Sequence, residues 1–415
     1  MIIGIDASRA NKPHKTGVEW YSYHLIEQFK KLDRRHQYFL YTNKPLTGAL
    51  AICPPNFKEV RLKWPIPRSW TIGRLSWEMK FGKYRPDVLF VPAHTLPLLN
   101  PKKSVVTIHD IGFEHFPEAY HWADKLYHKL IIQIIKRAAN KIIAPSDFTK
   151  NDLIKTYHLA PEKIAVIHNG YDNQKYRRLD SVIPAQACPA CNIGAGICDT
   201  KSVNLSTDSG QPRSRVASGM TEARTYLKTK YQIDFPYILF IGRLELKKNI
   251  PRLVEAFGLF KARHPQSPHK LVLVGTKGLT FNLVAAQIKK FHLEKDIIMP
   301  GWVGDDDLPL FLNCADLFAF PSLFEGFGIP ILEAMACGCP VICSNTTSLP
   351  EVADGAALMF DPTDTEAMAT ALEKMLTAED CQNTKEKLII AGLARANHFS
   401  WEKCARETLE ALTRE

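Results

Sequence analysis

The chain predicts an α/β protein of two Rossmann-like domains in tandem, and three observations predict it. Short β-branched or aromatic runs alternate with helical stretches, as in βαβ units that feed a parallel sheet. These runs fall into two series, separated by a stretch with little hydrophobic periodicity. At 415 residues the chain also exceeds what one compact core usually holds.

The first series has runs at 2–6, 38–42, 88–91, 105–109, 141–145 and 164–167; the second has runs at 237–241, 271–274, 296–299, 317–320, 341–343 and 357–360. Domains are therefore expected over 1–180 and 223–398, with 181–222 between them and a helix at 399–415 that can return to the first domain. Neither domain carries Gly-x-Gly-x-x-Gly after its first strand, and the near match Gly194-Ala195-Gly196 has no strand before it, which removes most support for a dinucleotide site. No Walker A lysine motif or His-Glu-x-x-His is present.

Hydrophobic residues make up 46% and charged residues 23% of the chain, the balance of a globular protein. No apolar run approaches the ~18 residues of a membrane span, and the first residues enter a strand without a signal-peptide pattern, so a cytoplasmic location is expected. Ten cysteines, with Cys314, Cys337, Cys339 and Cys343 in apolar surroundings, are expected to be reduced. Residues 1–180 hold 29 Lys and Arg against 16 Asp and Glu, a net +13, while the remainder is at −3. A basic first half points to an anionic partner: a membrane surface, a lipid-linked phosphate or an acidic glycan.

In chain order, Gly17 lies in a loop leading into a helix over 20–29, where backbone can approach a phosphate closely. Residues 58–85 carry eight Lys or Arg against two Glu, interleaved with Trp64, Trp70, Trp77, Phe81 and Tyr84. That composition fits an anionic lipid interface, single-stranded nucleic acid, or a solvated face over core tryptophans. His109-Asp110 follows the run at 105–108. Ser146 reads as a helix N-cap and Asn169-Gly170 as a turn, both structural. The stretch 181–222 is rich in Ser, Thr, Gly and Pro; its Cys188, Cys191 and Cys198 have the spacing of a metal knuckle without an evident fourth ligand, which favours a long insertion instead.

In the second half, Gly242-Arg243 follows a strand and Lys247-Lys248-Asn249 precedes an amphipathic helix bearing Leu253, Ala256, Phe257 and Phe260. A cation at a strand's carboxyl end points into the crevice where such sheets bind ligands. Asp305-Asp306-Asp307, just before 308–312, reads as helix capping rather than a metal site, and Trp302 as a packing residue. The densest segment is Glu325-Gly326-Phe327-Gly328-Ile329-Pro330, with Glu333 eight positions after Glu325. A glycine-bearing loop opening a helix there suits a phosphate, and flanking carboxylates suit sugar or ribose hydroxyls.

This block, with the later Gly338-Cys339-Pro340-Val341-Ile342, resembles the Glu-x7-Glu signature of the retaining glycosyltransferases of family 4. The resemblance implies a GT-B fold, two Rossmann-like domains facing across a cleft, and transfer of a hexose from a nucleoside diphosphate sugar to a hydroxyl of a glycan or lipid-linked acceptor. It assigns Arg243 and Lys248 to the departing diphosphate, Glu325 and His109 to the transferred sugar, and Glu333 to the ribose. The amides of Phe327, Gly328 and Ile329 fall to sugar or phosphate, and the loop holding Val303 to the base pocket. No cofactor or metal is expected, because fixed cations and a helix dipole take the charge of the leaving group. Nucleic acid is not an expected partner; peripheral contact with an anionic membrane through the basic first domain is. The stretch 108–118 is similar to mannosyltransferase-type members, favouring GDP-mannose. A sugar-nucleotide epimerase or hydrolase and a catalytically lapsed membrane-associated binding module are the alternatives.

Overall fold

A computed structural model describes residues 1–66, 69–179 and 213–414. It contains two sheets. The first has β1 (Ile2–Asp6), β2 (Gln37–Thr42), β3 (Phe57–Arg61), β4 (Val88–Val91), β5 (Lys103–Thr107), β6 (Lys141–Ala144) and β7 (Ile164–Val166), in the order β3-β2-β1-β4-β5-β6-β7. The second has β8 (Tyr237–Ile241), β9 (Lys270–Val274), β10 (Ile297–Gly301), β11 (Leu317–Phe320), β12 (Val341–Ser344) and β13 (Leu358–Phe360), in the order β10-β9-β8-β11-β12-β13. Every pairing is parallel. Central strands such as β4 and β11 are buried along their whole length, which is why they read as continuous apolar runs.

Strand order reverses between β1 and β4 in one sheet and between β8 and β11 in the other. Crevices open at the carboxyl ends of strands flanking such a reversal. In the second sheet these ends are Ile241 and Phe320, so the 242–249 and 321–329 loops leave the sheet side by side.

β3 is not anticipated by the sequence reading. Its residues Phe57-Lys58-Glu59-Val60-Arg61 bury only Phe57 and Val60, an edge-strand pattern masked by charge. A helix occupies Arg213–Tyr231, beginning inside the stretch expected to lack periodicity; Ala223 and Leu227 bury into the second-domain core. Cys188, Cys191 and Cys198 lie outside the described residues. Of the others, Cys337, Cys339, Cys343 and Cys404 are buried free thiols.

The last helix, Trp401–Thr413, packs on the first-domain helix Gly17–Leu32. Trp401, Cys404, Ala405 and Leu412 share a core with Ile5, Tyr21 and Leu25. Burying a side chain such as Leu412 is worth about 2 kcal/mol, so this return visit holds the domains together. Ser400 caps the helix by accepting from the Lys403 amide, and Gly170 leaves room for it: a Cβ there would overlap the backbone of Ser400 and Trp401.

Candidate functional site

The second-domain wall is built by two neighbouring loops. After β8, a short turn, Leu246–Lys248, ends at Asn249 with φ 59°, and the buried Asn249 amide anchors it to the Pro362 carbonyl at 2.7 Å. The turn sends its two lysines in different directions. Lys248 Nζ lies 2.5 Å from Glu325 Oε1, on the loop after β11. Lys247 crosses to the first domain and meets Asp110 Oδ2 at 3.1 Å. Arg243 is largely exposed, and Glu245 Oε2 approaches it at 3.9 Å while lacking a hydrogen bond. Burial raises the Glu245 carboxyl against the pull of Arg243, Lys248 and Lys247, which places these four residues together.

The loop carrying Glu325 is fixed from both sides. Ser348 Oγ lies 3.0 Å from the Glu325 carbonyl and 2.9 Å from the Phe327 carbonyl. From the first domain, Ser146 Oγ and Thr149 Oγ1 reach the Gly326 carbonyl at 2.7 and 3.0 Å. Gly326 is required here, since a Cβ would overlap the His109 carbonyl oxygen. Gly328, at φ 106°, is the N-cap of the helix Ile329–Ala336. The Phe327 side chain is buried, so only its backbone can meet a ligand.

Glu333 stands on the second turn of that helix and belongs to a second cluster. Burial pushes its carboxyl up to about 7, opposed by Lys175 and by a hydrogen bond with Tyr176, and reinforced by Asp305 and Asp172. The structure thus brings Arg243, Lys248, Glu325 and the His109 loop together, and sets Glu333 among Lys175, Tyr176 and Asp305. The Val303 side chain is buried in the second-domain core, leaving its backbone to line any base pocket. Trp302, expected to pack inside, is half-exposed and faces His14 of the first domain edge-on at 6.3 Å. Asp307, expected to cap the helix Leu308–Cys314, makes no side-chain cap; it accepts from Lys230 at 2.7 Å and Tyr231 at 2.6 Å.

On the first-domain wall, His109 Nε2 lies 3.1 Å from the Pro92 carbonyl, and its ring meets Tyr21 edge-on at 4.7 Å. Burial lowers its pKa, favouring neutral imidazole. A carbonyl only accepts, so the proton sits on Nε2 and Nδ1 keeps its lone pair. Lys247, first among the attractive partners, holds the Asp110 carboxyl far below the usual range against burial. Gly17 itself opens the helix Gly17–Leu32, earlier than expected, and the space where its Cβ would stand is open. The cap of that helix is already met by Glu19, whose carboxylate accepts from the Thr16 amide at 3.2 Å and is held at about 2 by Lys12 and Thr16 against its burial.

The aromatic residues of 58–85 divide. Trp70 is buried, with its indole N–H donating to the Leu62 carbonyl at 2.8 Å, whereas Trp77 and Phe81 are exposed. A cavity of about 720 Å³ opens at the carboxyl ends of β1, β2 and β4, lined by Asp6, Arg9, Lys12, Lys44, Trp70 and His128 among others. Another, of about 860 Å³, lies between Met1, Lys103 and Arg414. None of the residues assigned to the donor lines either cavity. Lys247, Glu245, Lys175 and Tyr176 are the site residues the sequence reading missed; only the Lys-Lys pair carried a signal, and it was resolved in favour of Lys248.

Comparison with known proteins places this geometry. A family model for glycosyl transferases group 1 matches residues 227–395, and one for glycosyltransferase family 4 matches residues 15–175. The chain is 30% identical over 393 residues to the O-antigen chain mannosyltransferase B of Escherichia coli, covering 93% of this chain and 87% of that protein. The chain belongs to glycosyltransferase family 4. This glycosyltransferase is also 33% identical over 243 residues to the serotype-specific mannosyltransferase WbdA of Escherichia coli, covering 58% of this chain and 29% of that one. Among solved structures, it superposes on sucrose-phosphate synthase from Thermosynechococcus elongatus with a TM-score of 0.69 at 17% identity, covering 99% and 98% of the two chains. That likeness, with two parallel sheets facing one another, is the GT-B fold.

Proposed function

We propose that this glycosyltransferase moves mannose from GDP-mannose to a hydroxyl of a glycan or lipid-linked acceptor, with retention at the anomeric carbon. The observation that carries the reading is the Lys248–Glu325 pair at the adjoining ends of β8 and β11, with the His109 loop packed on the next residue, Gly326. A diphosphate entering here competes for Lys248 and meets Arg243, whose side chain is exposed to receive it. Glu325, released from Lys248, accepts from sugar hydroxyls, and His109 Nδ1 accepts from another. When the sugar–phosphate bond breaks, negative charge settles on the leaving diphosphate, where Arg243, Lys248 and the amides opening the helix Ile329–Ala336 stabilise it. The phosphate oxygen takes the acceptor's proton as the acceptor attacks from the same face. Fixed cations thereby supply the charge that a metal would otherwise supply.

Mannose is supported by the two relatives named as mannosyltransferases. A polymeric or lipid-linked acceptor fits the first-domain cavity, whose rim carries Arg9, Lys12 and Lys44. Beside it the helix Trp122–Ala138 exposes Trp122, Leu126 and Leu130 at four-residue spacing, together with Lys129, and Trp77 and Phe81 are exposed as well. Aromatic and basic residues in that arrangement favour peripheral contact with an anionic bilayer. Among the described residues no helix is long and apolar enough to cross a membrane.

A thermal-shift panel of GDP- and UDP-sugars tests the donor, because a ligand of the native state alone raises Tm. GDP-mannose is expected to stabilise the protein and, with acceptor added, to be consumed. A shift with UDP-sugars only overturns the mannose assignment, and rapid consumption of donor without acceptor overturns transfer. Sedimentation with phosphatidylglycerol vesicles tests the membrane contact, which fails if Trp122→Glu and Leu126→Glu leave the bound fraction unchanged.

A further inference from the structure

Lys247 belongs to the second domain by chain position and to the first by contact. Its side chain is only 8% exposed, with Nζ 3.1 Å from Asp110 Oδ2 and 5.3 Å from the centre of the Phe324 ring. The ammonium occupies a notch that exists because residue 112 is glycine: a Cβ there would stand 2.6 Å from Nζ. Tyr120 hydrogen-bonds the same ammonium. Asp110 is in turn oriented by the Gly112 amide, which donates to Oδ1 at 2.8 Å. Through its main chain Lys247 also holds the motif loop, its carbonyl accepting from the Leu323 amide at 3.0 Å.

We propose that Lys247 and Asp110 are a positioning pair that sets the span across the cleft for the transfer step. Asp110 follows His109 in the chain, and Lys247 precedes Lys248. Fixing one bond therefore fixes the distance from the imidazole on one wall to the diphosphate cation and Glu325 on the other. A buried ion pair is a weak source of net stability, but breaking it leaves an uncompensated charge and favours separation of the surfaces that enclosed it. Other contacts along the seam, such as His168 to Glu351 at 2.8 Å and the Gly326 carbonyl to Ser146, lie to one side and do not replace it. This inference rests on the donor reading above, in which the diphosphate and ribose are held by the second domain.

The test compares wild type, Lys247→Met, Asp110→Asn and the double variant. Donor affinity, measured by calorimetry with GDP-mannose, is expected to stay within about threefold of wild type, because the assigned donor cations stand on the second domain. Turnover is expected to fall by about 10², the loss that a displacement of about 1 Å can cause. The double variant should lose no more than the worse single one, since both remove the same bond. Loss of fold alone would lower the active fraction and Tm together and leave kcat per active site unchanged; that result overturns the proposal. So does turnover within threefold of wild type in a folded Asp110→Asn, or losses that multiply in the double variant. Should Lys247→Met not fold, Asp110→Asn and the double variant still decide. If wild type binds no nucleotide sugar, the donor reading falls and this inference falls with it; if wild type is active and the variants match it, this inference alone falls.

Discussion

The second-domain wall takes its charged groups from two loops that leave neighbouring strands, β8 and β11, whereas the first-domain wall assembles His109, Asp110 and Gly17 from separate strands whose fixing partners lie far away in the chain. Lys248 finds Glu325 and Arg243 finds Glu245 without leaving the second domain. His109 is held by Pro92 and Tyr21, and Asp110 by Lys247 of the other domain. One wall is thus a local device that binds charge; the other is held by tertiary contacts that set distance. Substitutions on the first kind of wall should remove chemistry, and those on the second should remove alignment.

The largest expected effect falls on Glu325. Glu325→Ala takes away the acceptor for sugar hydroxyls and frees Lys248 at once. Turnover should drop by about 10² to 10³, the range for losing one preorganised electrostatic contact. The donor should bind as well as before or more tightly, because Lys248 no longer has an internal partner to give up. Single-turnover kinetics with calorimetry on the same sample check this, and a variant with ordinary turnover or with donor binding abolished would erase the contrast between the walls. Next in size is Gly326→Ala. Its methyl group would overlap the His109 carbonyl, so the loop and the first domain must separate. A fall in turnover approaching 10² is expected, with nearly unchanged donor affinity. If the donor affinity falls instead, the seam belongs to binding and the division fails.

The same division explains what could be read from the chain beforehand. Twelve of the thirteen strands were legible because buried parallel strands are apolar runs. β3 was not, because an edge strand keeps charges on its open side. Arg243, Lys248, Glu325 and Glu333 were legible because a turn and a helix start place them locally. The partner of Lys247 was not, since which of two adjacent lysines crosses the cleft depends on a notch at Gly112, more than a hundred residues away. Trp302 and Asp307 were misread for a related reason: exposure of an indole and the pull of Lys230 on a carboxylate are properties of the folded surface, not of the local sequence.

The smallest expected effect concerns Glu333, and it separates binding from alignment by pH. Its folded pKa is raised from the usual 4.5 to about 7, so the native state holds a proton that the unfolded chain has released. The native state therefore binds more protons between those values, and stability falls as pH rises from about 4.5 to 7 before levelling off. The slope should amount to roughly 2 kcal/mol across that window, reduced from the full shift because the carboxyl is still partly reached by water. Urea melts at pH 5 and pH 8 measure it, and Glu333→Gln should flatten the difference. Ribose hydroxyls donate best to an ionised carboxylate, so bound donor favours the charged form. GDP-mannose should then stabilise wild type more at pH 8 than at pH 6, by a few degrees, and the variant equally at both. An equal response in wild type would show that the nucleoside end of the donor does not rest on Glu333, leaving Lys248 and Glu325 as the binding wall by themselves.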